Sequence, residues 1–167
     1  MGLFSKDIKT KDDLFVHTLR DIYYAEQQIT KAMPKMIDKA TNPSLKQALE
    51  RHATETEGQI RRLEQVFEQH GQAVKGVTCE AIDGILKEAE HLMGDVADPE
   101  VRDAAMLASA QAVEHYEITR YGTLATWAEE LGRPDCASLL RQNLAEEEKM
   151  DESLTALAKS SVNRQAA

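Results

Sequence analysis

Two very short breaks, at residues 41–42 and 132–133, limit what this chain can fold into more than any other feature. Each lies between stretches of helical periodicity and is followed directly by a proline, Pro43 or Pro134. Proline suits the first helical position, where its missing N–H would have had no partner. Asn42 before Pro43 and Asp98 before Pro99 are good N-caps. Gly71, Gly94 and Gly132 fall where helices should stop. This punctuation predicts five helical segments, about 10–40, 43–70, 79–93, 98–131 and 134–159. Only Ala73 to Thr78 has β-compatible character, and Gly76 interrupts it, so the expected fold is all-α.

Short turns force consecutive helices into antiparallel hairpins. The two hairpins are separated by 27 residues, Gly71 to Ala97, which hold the short helix. Two hairpins joined by one long crossover predict the ferritin-like form of the four-helix bundle. A single such domain is expected over residues 1–160, with the small, polar tail fraying from Lys159 and disordered over 161–167. The halves also align at an offset of 91: Leu19, Ile22 and Glu26 map onto Ala110, Val113 and Glu117, and Pro43, Glu55 and Leu63 onto Pro134, Glu146 and Leu154.

Charge excludes whole classes of function. Against 20 Lys and Arg stand 29 Asp and Glu, a formal net charge of −9, where binding a nucleic-acid duplex needs a basic face. Three Phe, four Tyr and one Trp leave little to stack on single-stranded bases. No apolar run approaches the ~20 residues of a membrane span, so a soluble protein is expected. Met1 to Thr10 has no secretory-leader pattern, and Cys79 and Cys136 are too few for a disulfide framework. Free thiols in a reducing cytoplasm are the expectation.

Acids interrupt the helical seams. The first helix reads Phe15, Leu19, Ile22, Glu26, Ile29, Met33, Met36, apolar at every step but Glu26. The third long segment reads Met106, Ala110, Val113, Glu117, Tyr121, Leu124, with Glu114 one turn before Glu117. The last is read as Leu140, Leu144, Glu147, Asp151, Leu154. In the second, Leu49, Ala53, Thr56, Ile60 and Leu63 form the stripe, beside a polar row of His52, Glu55, Gln59 and Arg62.

Carboxylates gathered in a core cost several kcal/mol each to desolvate and repel one another. Two divalent cations would offset four of them, and an oxygen-rich site with some nitrogen suits iron, manganese or zinc. The alternative is that each acid turns to the edge and pairs with a cation: Arg120 follows Glu117 by three residues, Arg51 precedes Glu55 by four, and Arg62 shares the polar row. His52 has the choice of ligating or forming an ordinary buried hydrogen bond. His115 suits a supporting or surface role, while His17, His70 and His91 read as exposed. Tyr23, Tyr24, Tyr116 and Tyr121 have the choice of hydrogen-bonding a site acid or, by default, standing at the core edge with wet hydroxyls. Pro34 removes the bond to the Thr30 carbonyl, so a kink is expected there.

Five stretches together resemble the YciE/YciF family of bacterial stress-associated ferritin-like proteins. They are Asp21-Ile-Tyr-Tyr-Ala-Glu26, Glu55-Thr-Glu-Gly-Gln59 with Arg62-Leu-Glu64, Cys79-Glu-Ala81, Val113-Glu-His-Tyr-Glu117 with Tyr121-Gly-Thr123, and Leu144-Ala-Glu-Glu147 with Asp151. The resemblance implies a ferritin-like bundle, a homodimer or higher oligomer, and a metal-binding centre; from the donor chemistry the expected metal is iron or manganese, with room for two ions. Carried over by position, the ligands are Glu26, Glu55, Glu114, Glu117, Glu147 and Asp151, with His52 and Gln59 as additional donors; relatives often have histidine at position 59. The Glu-x-x-His pair of ferritins and rubrerythrins is missing, since Gly58 follows Glu55 at i+3 and Met150 follows Glu147. Fewer imidazoles imply slow redox chemistry toward dioxygen, peroxide or ferrous iron. The competing reading is a non-catalytic structural or interaction protein whose metal braces the helices or has been lost.

Overall fold

The computed structural model describes residues 8–166. The leader reading of Met1 to Thr10 falls largely outside these residues, as does the last tail residue, Ala167. The fold is all-α: α1 (Lys11–Lys39), α2 (Pro43–Gln69), α3 (Glu80–Asp95), α4 (Pro99–Glu130) and α5 (Pro134–Leu157) follow in order. Among the described residues none is in a β-strand, and Ala73 to Thr78 has no regular structure.

Local chemistry accounts for the helix boundaries. Thr10 and Asp13 form a reciprocal cap on α1, each side chain accepting from the other's backbone N–H at 3.0 Å. Asn42 Oδ1 accepts from the Ser44 and Leu45 N–H groups, and Asp98 Oδ1 from those of Glu100 and Val101. Gly71 and Gly132 take φ of +69° and +71°, the left-handed conformation that closes a helix C-terminus. Gly94 does not stop its helix; α3 continues through it to Asp95. Pro34 lies inside α1, which runs on past it to Lys39.

Four long helices contact one another in a ring, α1 on α2, α2 on α5, α5 on α4 and α4 on α1, while α3 packs across α4 and α1. The crossover is tied down where Val77 N–H donates to the Arg20 carbonyl. Phe15, Leu19, Ile22, Leu45, Leu63, Phe67, Leu124 and Leu140 are fully buried between the helices. Each contributes about 1.5–3 kcal/mol by leaving water.

Two expectations change at the edges. The tail is not frayed over its described length: a π-helical turn (Ala158–Val162) and a last helical turn, α6 (Asn163–Gln165), carry it onward. Val162 is buried, and the Asn42 amide donates to Ser161 Oγ and Gln165 Oε1, so the tail is fastened to the α1–α2 turn. Asp103 supports that turn from α4, accepting from Thr41 N, Thr41 Oγ1 and Asn42 N. His70, read as exposed, is instead tucked against the Phe15 ring with Nε2 2.8 Å from Asp12. Cys79 and Cys136 are buried free thiols.

Candidate metal centre

The α1 and α4 seams lie where their periodicity puts them, and every member is buried, Glu26, Glu114 and Glu117 included. In α5 the buried row steps differently: Leu140, Asn143, Glu147, Met150, Leu154. Leu144 and Asp151 therefore sit one row aside, half-buried. In α2 the inward row is Leu45, Leu49, His52, Thr56, Gln59, Leu63, Val66, so its polar residues face the core while Ala53 and Ile60 are only partly covered. Glu55 is half-buried, outside that row.

Four residues from three helices converge. His52 of α2, Glu114 and Glu117 of α4 and Glu147 of α5 each offer one ligand atom, all within 4.8 Å of one another. None exposes more than 2 % of its surface. Glu26 of α1 faces the same centre, close enough that it and Glu117 influence each other's protonation. Gln59 Nε2 donates to Glu147 Oε1, and the Tyr121 hydroxyl donates to Glu26 Oε1.

Much of the polar surface has no hydrogen-bond partner. Unpaired are Glu26 Oε2, both oxygens of Glu117, Glu114 Oε2, Glu147 Oε2, Gln59 Oε1 and both ring nitrogens of His52. His52 Nε2 lies 3.3 Å from Glu114 Oε1, near enough for attraction but not aligned as a hydrogen bond. Buried polar groups are overwhelmingly paired in native proteins, so this concentration calls for a partner that the protein's own side chains do not supply.

Protonation tells the same story. Burial, reinforced by the Glu147 charge, pushes the Glu26 carboxyl up to about 8, even though Tyr121 and Arg62 pull the other way. Glu114 is pushed up to about 12, by burial first and then by Glu147. Burial also raises Glu117 far above the carboxylate range, and Tyr121 far above the usual phenol value. Without added positive charge these groups hold protons at neutral pH.

The edge-pairing alternative fails here. Among the described residues no lysine or arginine forms an ion pair with Glu26, Glu114, Glu117 or Glu147. Arg62, whose charge acts on Glu26, spends its guanidinium on Asn143 and Glu146. Arg120 lies over the Tyr116 ring at 5.0 Å. Four carboxyl groups and one imidazole, all buried and largely unpaired, form a donor set that a divalent ion fits.

Of the eight residues named from the sequence, the structure brings together Glu26, His52, Gln59, Glu114, Glu117 and Glu147. Glu55 stands apart. Asp151 is turned to the α4 face, accepting from Gln111 Nε2 at 2.9 Å with His115 Nε2 at 3.2 Å, so His115 keeps its outer role. Sequence reading missed Asn143; of the two roles open to Tyr121 the structure shows the hydrogen bond to a site acid, with the residue fully buried rather than wet. The signal for Asn143 was the 3-4-3-4 stepping from Leu140.

Known proteins resemble this chain over nearly its whole length. The family model described as "Domain of unknown function (DUF892)" matches residues 10–167. Protein YciF of Escherichia coli K12 is 45% identical over 161 residues, 96% of this chain and 97% of that protein. The crystal structure of that stress protein superposes with a TM-score of 0.89 at 46% identity, covering 93% of this chain and 99% of the other. YcfI from Rhodopseudomonas palustris, described as a candidate structural protein, reaches 58% identity and a TM-score of 0.89 over 92% of this chain and 98% of its own. A Xanthomonas campestris protein at 23% identity and a TM-score of 0.75 shares the fold.

Proposed function

This chain belongs to the DUF892 family, and on that premise we propose that it is a stress-associated, ferritin-like four-helix-bundle protein that holds a di-metal centre in its core. Glu26, Glu114, Glu117, Glu147 and His52 would hold the ions, with Gln59 and Tyr121 orienting Glu147 and Glu26 through their hydrogen bonds. The observation that carries this reading is the cluster of buried oxygens and nitrogens with no cation and no hydrogen-bond partner beside them. Four carboxylates match the charge of two divalent ions.

Iron or manganese is the metal proposed, because the donor set is oxygen-rich with a single imidazole. When bound, such a pair supplies one-electron chemistry toward dioxygen, peroxide or ferrous iron. The chain's own contribution is to exclude water with the apolar rows on either side of the acids and to hold Glu26 through Tyr121. Having one imidazole, the centre is proposed to turn over slowly. A cytoplasmic location and assembly into a homodimer or higher oligomer belong to the same proposal.

The description of the Rhodopseudomonas relative favours a second reading, in which the metal only braces the helices. Elemental analysis of freshly purified protein, followed by absorbance on adding ferrous iron with oxygen or peroxide, separates the two. Redox function predicts about two ions per chain and an absorbance change that Glu26→Ala abolishes at unchanged helical content. Metal without any absorbance change in the parent protein rejects it in favour of bracing; absence of metal rejects both the redox centre and bracing and leaves a structural protein whose metal has been lost.

A further inference from the structure

A small cavity of about 20 Å³ runs between α1, α2, α3 and α4. Its walls are Ile29, Met33, Met36, Leu49, Leu86 and Val113, with Ala32 and Ala110 completing them. At the inner end lie His52 and Glu114, both almost wholly buried, and His52 Nδ1, His52 Nε2 and Glu114 Oε2 have no hydrogen-bond partner. At the outer end Ala32, Met36 and Leu86 also line a surface groove of about 400 Å³ between α1 and α3. A continuous set of residues thus connects solvent to the metal-ligand cluster.

We infer that this cavity is the route by which a small uncharged molecule of dioxygen's class reaches the centre, and that its apolar walls select against ions. The volume exceeds the ~10–15 Å³ that one water-sized guest requires. Every wall residue before His52 and Glu114 is apolar, so a water midway would lack the two to four polar partners that hold one. A cation would have to shed its hydration shell against groups unable to replace it, at a cost of several kcal/mol. Dioxygen gives up almost nothing on leaving water for such walls. The two methionines are unbranched and flexible, and so can yield as a guest passes. The role assigned to the cavity rests on the di-metal reading, whereas the cavity's affinity for an apolar guest does not.

Xenon tests the route on metal-free protein. Crystals pressurised with xenon should show it seated among Ile29, Met33, Leu49 and Val113. Ala32→Phe and Leu86→Phe, which fill the outer end from two different helices at partly exposed positions, should remove it at unchanged helical content. In ferrous-loaded protein both variants should slow nitric oxide association by about tenfold, with metal content unaltered. Xenon missing from the parent cavity, or gas association indifferent to both plugs, overturns the inference. Xenon in the cavity of a protein that binds no metal would strike the di-metal reading alone; metal bound while xenon is excluded would strike the route alone.

Discussion

Replacing Glu26 by glutamine should stabilise the metal-free protein at neutral pH and do almost nothing at pH 5. Burial and Glu147 lift the Glu26 carboxyl from its ordinary 4.5 to about 8. The folded state therefore holds this proton more tightly than the unfolded chain, and between those values folding takes up a proton. Stability falls as pH rises through that window and levels off above it. At pH 7 the cost is about 3 kcal/mol, and at pH 5 it is under about 1 kcal/mol. Glutamine carries no proton to lose. Its carbonyl can still accept from Tyr121, and its amide can donate to the unpaired oxygens of Glu117. The variant's advantage should thus grow by roughly 2–3 kcal/mol from pH 5 to pH 7, roughly 5–10 °C in melting temperature for a chain of this size. Thermal melts of chelator-treated parent and variant at the two pH values measure it. An advantage equal at both, or a variant less stable than the parent at both, refutes the claim that an ionisable buried acid opposes folding here.

Adding ferrous or manganous ion at a hundred times its dissociation constant should stabilise the folded protein by about 2.7 kcal/mol, seen as a chelator-reversible rise in melting temperature. That rise should shrink as pH falls, because binding must displace the protons that burial keeps on Glu114 and Glu117; a rise independent of pH would contradict this. Glu55→Gln should leave metal content unchanged, while Glu117→Gln should lower it sharply, with metal analysis after gel filtration as the measure. Asp103→Ala strips three hydrogen bonds from Thr41 and Asn42. It should cost about 2–4 kcal/mol in urea unfolding by leaving those donors unmet, equally with and without metal.

The sequence carries most of the architecture because its boundaries are written locally. Asn42-Pro43, Asp98-Pro99 and the glycines at 71 and 132 each act through the few residues beside them. The α1 and α4 seams were legible for a related reason: a lone glutamate in an apolar stripe does not disguise the stripe. The α2 and α5 seams were harder. At the height of the acids their inward rows hold His52, Thr56, Gln59 and Asn143, so hydropathy points to the neighbouring rows of Ala53, Ile60 and Leu144. A functional centre replaces apolar residues just where apolar residues are the guide. The same inversion drew Asp151 into the expected α5 seam, whereas Glu55 entered the ligand set through the family resemblance. Tail docking was illegible because it depends on Asn42 reaching Ser161 and Gln165, more than a hundred residues away.

The offset of 91 that matches Glu26 with Glu117 also sets Tyr23 against Glu114, His52 against Asn143 and Thr56 against Glu147. Both members of each pair are buried, yet only the first pair is acidic on both sides. The two hairpins have consequently divided their labour. The first, α1–α2, brings a single carboxyl group with the imidazole and the amide; the second, α4–α5, brings three carboxyl groups. Neither hairpin doubled on itself would rebuild the same interior: two of the first would be short of charge, and two of the second would lack the nitrogen donor. The crossover that joins them is therefore also what guarantees that every molecule contains one of each.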